Sequence, residues 1–170
     1  MRAFVNTLEL EDALDELGDP AALKSWLVAR GLLGERERAT EADLRRIVEV
    51  REALRVLLLA NNGVVVEADK AMATLDRAAR RAGLSVRFHS DGSSAVEPAA
   101  GGPDGAIGRI LAIVAAEMGG ESWRRLKACR ADDCHWAFYD HAKNRSRAWC
   151  SMRVCGNRTK ARRYRQRHSA

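Results

Sequence analysis

Apolar positions recur at helical spacing through most of the first 122 residues. Asp19 precedes Pro20, an N-cap followed by a residue that loses nothing for lacking an N–H in a first turn. Leu23, Trp26 and Leu27 then recur at helical spacing before Gly31, which predicts a helix. Thr40-Glu41-Ala42-Asp43 has the form of a capping box with Asp in place of Glu. Behind it Leu44, Ile47, Val48, Arg51, Leu54, Arg55, Leu57 and Leu58 lie on or near one stripe, up to Asn61-Asn62-Gly63. A third helix is expected from about Glu67 to Ala82, closed by Gly83. Residues 84–97 alternate around Asp91-Gly92 and read as a hairpin. Gly101-Gly102-Pro103-Asp104 starts a buried fourth helix, Ile107 to Met118, and Glu121 to Lys127 makes a short last one. Phe4 to Leu10 fits an extended entry or the start of a helix. The expected fold is mainly α, with one small ribbon.

Charge divides the chain where the periodicity ends. The 170 residues carry a net charge of +6, but residues 1–122 hold 15 Lys+Arg against 20 Asp+Glu, and residues 123–170 hold 14 against 3. The halves are thus −5 and +11, and all four Cys fall in the second. Two units are expected, 1–122 and 123–170. The longest apolar run, 110–116, is far below the ~20 residues of a membrane span, so no membrane association is expected. The first ten residues lack the apolar core of a secretory leader, so a cytoplasmic, reducing setting is expected. Phosphate-loop, dinucleotide and nucleophile-elbow motifs are missing.

Cys129, Cys134, Cys150 and Cys155 are spaced C-x4-C-x15-C-x4-C. Two chain turns that each present a thiolate pair satisfy tetrahedral zinc, so one structural zinc per chain is expected; four free or paired thiols are the bland alternative. His135 and His141 are competing ligands, although four cysteines already fill the tetrahedron. Trp136–Tyr139 and Arg147–Trp149 are expected to pair as strands around a turn at 140–146, with a helix over 159–167. Knuckle, hairpin and helix in that order make a treble-clef-like finger. Trp136 and Trp149, which flank ligands, are expected in its core.

Cys129-Arg130-Ala131-Asp132-Asp133-Cys134-His135-Trp136-Ala137-Phe138-Tyr139-Asp140 and the run from Lys143 to Tyr164 resemble the CGNR-type zinc finger, named for Cys155-Gly156-Asn157-Arg158. Phe4-Val5-Asn6-Thr7 and Val50-Arg51-Glu52-Ala53-Leu54 are similar to the ABATE domain that usually precedes it. The resemblance implies a bacterial transcription regulator with one zinc on the four cysteines.

Arg158, Lys160, Arg162, Arg163, Arg165 and Arg167 crowd ten positions, and Lys143, Arg145, Arg147 and Arg153 extend the patch. These ten residues are the candidate nucleic-acid contacts; the resemblance favours DNA over RNA. Tyr164 could join them or pack on the finger. A zinc-organised protein- or RNA-interaction module is the alternative. One finger has a modest footprint, so useful specificity is expected to require a homodimer or other partners. The acidic unit then senses a small-molecule effector or dimerises. Arg51, Arg55 and Asn6 lie in apolar surroundings and could bind that effector, but structural ion pairing is the simpler reading for such groups. Asp12, Asp15 and Glu16 read as a solvated acidic face, and His89 has no catalytic companion. Asp132, Asp133, Asp140 and His135 cluster in sequence, but no cleft would desolvate them, so no enzyme activity is expected. Thiolates beside many arginines also permit redox sensing.

Overall fold

The chain enters as one helical turn, α1 (Arg2–Val5), then doubles back through a two-residue ribbon, β1 (Leu8–Glu9) antiparallel to β2 (Leu14–Asp15). This computed structural model describes residues 1–168, apart from the side chain of Arg163; the contact expected of Arg163 lies outside the described residues. α2 (Pro20–Val28) starts where Asp19 accepts a hydrogen bond from the Ala22 N–H at 2.7 Å. α3 (Glu41–Asn61) opens on a complete capping box: Thr40 Oγ1 accepts from the Asp43 N–H and Asp43 accepts from the Thr40 N–H. α4 (Ala68–Ala82) ends on Gly83 in the left-handed region, as its Gly signal requires.

β3 (Leu84–Phe88) and β4 (Ser94–Pro98) form the expected hairpin. α5 (Gly102–Met118) begins five residues earlier than expected, because Pro103 fits its first turn. Gly108 lets it press onto the hairpin: a Cβ there would stand 2.6 Å from Pro98 and 2.9 Å from Ala82. The expected helix over 121–127 is replaced by a single 3-10 turn, Trp123–Arg125, running into β5 (Leu126–Ala128). β5 pairs antiparallel with β6 (Ala137–Tyr139). Arg147–Trp149 therefore does not pair with 136–139 as expected; the strand before the first cysteine takes that place. Among the described residues there are three two-stranded ribbons where two were expected, the added one being β1–β2.

One core runs through these elements. Phe4, Val5, Leu23, Leu27, Leu54 and Leu58 are sealed at its centre, with Ile107, Ile110 and Val114 of α5 above. Trp123, Leu126, Ala128 and Ala137 pack into the same core, so it extends across position 122 into the cysteine-bearing segment. Arg51 and Arg55 are buried in ion pairs, with Asp15 and Glu52 as partners. Asp15 is thus a buried arginine's counterion and not part of a solvated face, because β2 turns it inward.

Candidate metal centre and basic face

The first two cysteines sit in the connection between β5 and β6. Cys129 follows β5 directly and its N–H donates to the Trp136 carbonyl at 3.0 Å, while the Cys134 N–H donates to Ala131 at 3.0 Å. His135 takes positive φ (47°) to close this knuckle. The second pair comes from 150–155. The Arg130 N–H donates to the Ala148 carbonyl and draws that segment alongside the knuckle. A wide turn, Met152–Gly156, carries Cys155 to the foot of the last helix, α6 (Asn157–His168).

All four sulfurs lie within 4.8 Å of one another. Cys134 to Cys150 is 3.7 Å and Cys150 to Cys155 is 3.6 Å. A tetrahedron with Zn–S bonds of about 2.3 Å has edges of roughly 3.8 Å, so the donor set fits zinc in size as well as type. The crowding also couples the thiols: hydrogen bonding from Cys134 and Cys150 lowers the Cys129 thiol, while the facing Cys129 raises Cys150 and Cys134. Crowded thiols resist ionising together unless a cation neutralises them. Backbone N–H groups of Ala131 and Cys150 already face the Cys129 sulfur, and that of Trp136 faces Cys134. Neither His135 nor His141 joins the cluster; His141 packs against the Tyr139 ring at 4.8 Å. One structural zinc belongs on these four cysteines, with no position left for a reacting water.

Two residues beneath the knuckle escaped the sequence reading. Lys127 is buried and donates to Asp140 (2.8 Å) and to the carbonyls of Arg145 (2.5 Å) and Arg147 (3.3 Å). Arg125 adds bonds to the Asp140 and Ala142 carbonyls. Together they staple the 140–147 loop and fix the positions of Lys143, Arg145 and Arg147, all exposed. Burial pushes the Asp140 carboxyl up. Hydrogen bonds from Lys127 and from the Ala142 and Arg147 N–H groups outweigh this and hold it below its ordinary value. Asp140 is therefore a structural anion. Asp133 is committed too, to Arg158 and Arg162.

The basic residues divide by partner. Arg158 bridges Glu11 of the β1–β2 turn and Asp133 of the knuckle, and Arg162 joins it on Asp133 at 2.9 Å. Lys143, Arg153 and Lys160 are exposed with no acidic partner among the described residues. Arg165 and Arg167 are exposed as well. By helical geometry Lys160, Tyr164 and Arg167 lie opposite Arg158 and Arg162, and the Tyr164 ring stacks on His168 at 4.1 Å. Trp149 is half-buried against the cysteines as expected, but Trp136 is exposed, because its neighbour Ala137 takes the inward position on β6.

Three asparagines tie this unit to the helical one. Asn6 pairs with the Ala137 backbone in both directions, at 3.0 and 2.7 Å, as a strand would. Asn61 donates to the Trp123 and Leu126 carbonyls, and Asn62 to those of Ala128 and Ala148. Arg130 returns two bonds to the Asn62 carbonyl, and its guanidinium occupies the space a side chain at Gly63 would need. The only sequence signal for Asn61 and Asn62 was that of a helix stop, which they also are.

The family model of the CGNR zinc finger matches residues 125–168. The model of the ABATE domain, described as "Putative stress-induced transcription regulator", matches residues 2–120. Both are regulator and zinc-finger types, not enzymes. No curated protein matches the chain. Among the described residues no helix is long and apolar enough to cross a membrane.

Proposed function

The chain belongs to the ABATE family and ends in a CGNR zinc finger, and from that premise we propose that it is a zinc-dependent DNA-binding transcription regulator. The observation that carries this reading is the set of exposed cations around the zinc site: Lys143, Arg145, Arg147, Arg153, Lys160, Arg165 and Arg167, with Arg162 exposed but paired to Asp133. Zinc at the α6 base and the Lys127–Arg125 staple under the 140–147 loop fix the backbone that carries these charges. Phosphates would relieve their mutual repulsion and release counterions. Arg158, one-quarter exposed and bridging two carboxylates, positions α6 and does not read DNA. One finger covers few base pairs, so the regulator acts as a homodimer, with the helical unit dimerising or sensing.

Zinc-loaded chain is titrated into fluorescent duplex DNA at increasing salt. Binding is expected to weaken with a log–log slope of about −0.9 per neutralised phosphate. Lys143→Ala with Lys160→Ala is expected to flatten that slope while leaving one zinc per chain. Absence of binding at ~50 mM salt with zinc confirmed would overturn the reading. A second reading, docking to protein or RNA, draws on Met152 and Val154, both exposed beside the cysteines. It gains support if the charge variant keeps its partner while losing DNA.

A further inference from the structure

A cavity of about 270 Å³ opens between α3, α4 and α5, on the helical unit and far from the zinc site in sequence. Its wall is apolar: Ile47, Val50 and Ile107 are buried core side chains, and Ala78 lies beside them. Its rim is cationic, with Arg46, Arg77, Arg80 and Arg81 against Glu49 and Asp104. Four guanidinium groups around one small cavity run against the acidic balance of this unit.

Their partners account for only part of that charge. Arg46 and Arg81 share Asp104, at 3.6 and 2.8 Å, and Arg46 also pairs with Asp43. Arg80 reaches Asp76 at 3.9 Å across exposed surface. Arg77 donates to the Thr74 hydroxyl at 3.1 Å and has no carboxylate partner among the described residues. The Arg46 Nε is buried with no acceptor. Arg77 on the lining thus lacks a carboxylate and the Arg46 Nε lacks an acceptor, beside a cavity floored by the apolar core.

We propose that this cavity binds a small amphipathic organic anion, its apolar body against Ile47, Val50 and Ile107 and its single carboxylate-type head on Arg77. A guanidinium takes a carboxylate in a bidentate fork, which gives the head both energy and orientation. Glu49 and Asp104 on the same rim repel a multiply charged ligand, and the apolar wall has nothing to offer inorganic phosphate. The volume is at the small end of ligand cavities, roughly 300–1,000 Å³, and selects a compact molecule. One helix links the site to the finger: α3 lines the cavity with Arg46, Ile47 and Val50, and its C-terminal end grips the finger through Asn61 and Asn62. The two lie roughly 22 Å apart along the axis. This deepens the regulator reading by giving its effector a place, and its test uses no DNA, so either can fail alone.

The full zinc-loaded chain is titrated with 1-anilinonaphthalene-8-sulfonate, an apolar body with one anionic head, and with neutral N-phenyl-1-naphthylamine. Saturable binding of the anion at one site per chain is expected, about tenfold tighter than the neutral analogue. Octanoate or benzoate is expected to displace it, and inorganic phosphate is not. Arg77→Ala, an exposed position with no structural ion pair, is expected to weaken binding about tenfold with unchanged melting. Equal binding by that variant, equal binding of the neutral analogue, displacement by phosphate, or no saturable binding would each overturn the proposal.

Discussion

Arg51 is 2% exposed yet carries a full charge. Its guanidinium forks onto Asp15 at 2.6 and 2.9 Å, reaches Glu52 at 2.9 Å and donates to the Thr7 hydroxyl at 3.1 Å. Desolvation pushes the Asp15 carboxyl up. Hydrogen bonds from Arg51 and the Leu17 N–H, with the Arg51 charge, outweigh it and hold the group below its ordinary value. A carboxyl depressed in the folded state adds stability that is present above its unfolded value of about 3.9 and is lost as pH falls through the folded value. Asp15→Asn is therefore expected to cost about 2 kcal/mol near neutrality, the size of a hydrogen bond to a charged group. It is also expected to flatten the acid limb of stability against pH, and denaturant midpoints at neutral pH and below about pH 5 check the two in turn. An acid limb as steep as the parent's would count against the pairing. The buried arginines were legible as structural charges from their place in an apolar helix. Asp15 was not, because a counterion 36 positions away leaves no periodic trace.

α6 illustrates how an element can exist without deserving to on its own. It has 12 residues, crowded arginines and no apolar stripe. Isolated helices under ~12–15 residues are marginal even with good composition, and like charges one turn apart cost a few tenths of a kcal/mol per pair. What holds α6 is Cys155 at its foot and Asp133 against Arg158 and Arg162. Removing zinc with a strong chelator is therefore expected to erase helical signal equivalent to these 12 residues, regained on adding zinc. An unchanged far-ultraviolet spectrum, with metal loss confirmed, would refute this. The starts of α2 and α3 and the end of α4 were readable because caps and glycines are local chemistry: Asp19, Thr40 with Asp43, and Gly83. The β5–β6 pairing was not. Leu126–Ala128 is too short to alternate, and its partner is selected by the knuckle between them.

At the scale of the molecule, a zinc on four thiolates carries a net charge of about −2, so the finger's +11 becomes about +9 beside a unit of −5. Part of that attraction is spent inside the chain, where Glu11 holds Arg158. Glu11→Lys is expected to remove one of the two carboxylates on Arg158, leaving Asp133, and through the added cation to tighten DNA binding and steepen its salt slope by about 0.9 for each phosphate gained. Anisotropy titrations at two salt concentrations check this, and weaker binding would show that Arg158 is needed where Glu11 puts it. The four zinc ligands and the cationic excess were fully legible from spacing and composition. The asparagine joints were not, since an amide that mimics a strand looks like any loop polar residue. The Asn6 joint to Ala137 also sets an order of events during synthesis. Asn6 has to wait for Ala137, 131 positions later, and Phe4, Val5 and Ala137 share the core only then. Until that moment the emerging helices expose an unfinished apolar seam, so the nascent chain is most open to chaperones and to aggregation before Ala137 emerges, when only Cys129 and Cys134 of its zinc ligands have been made.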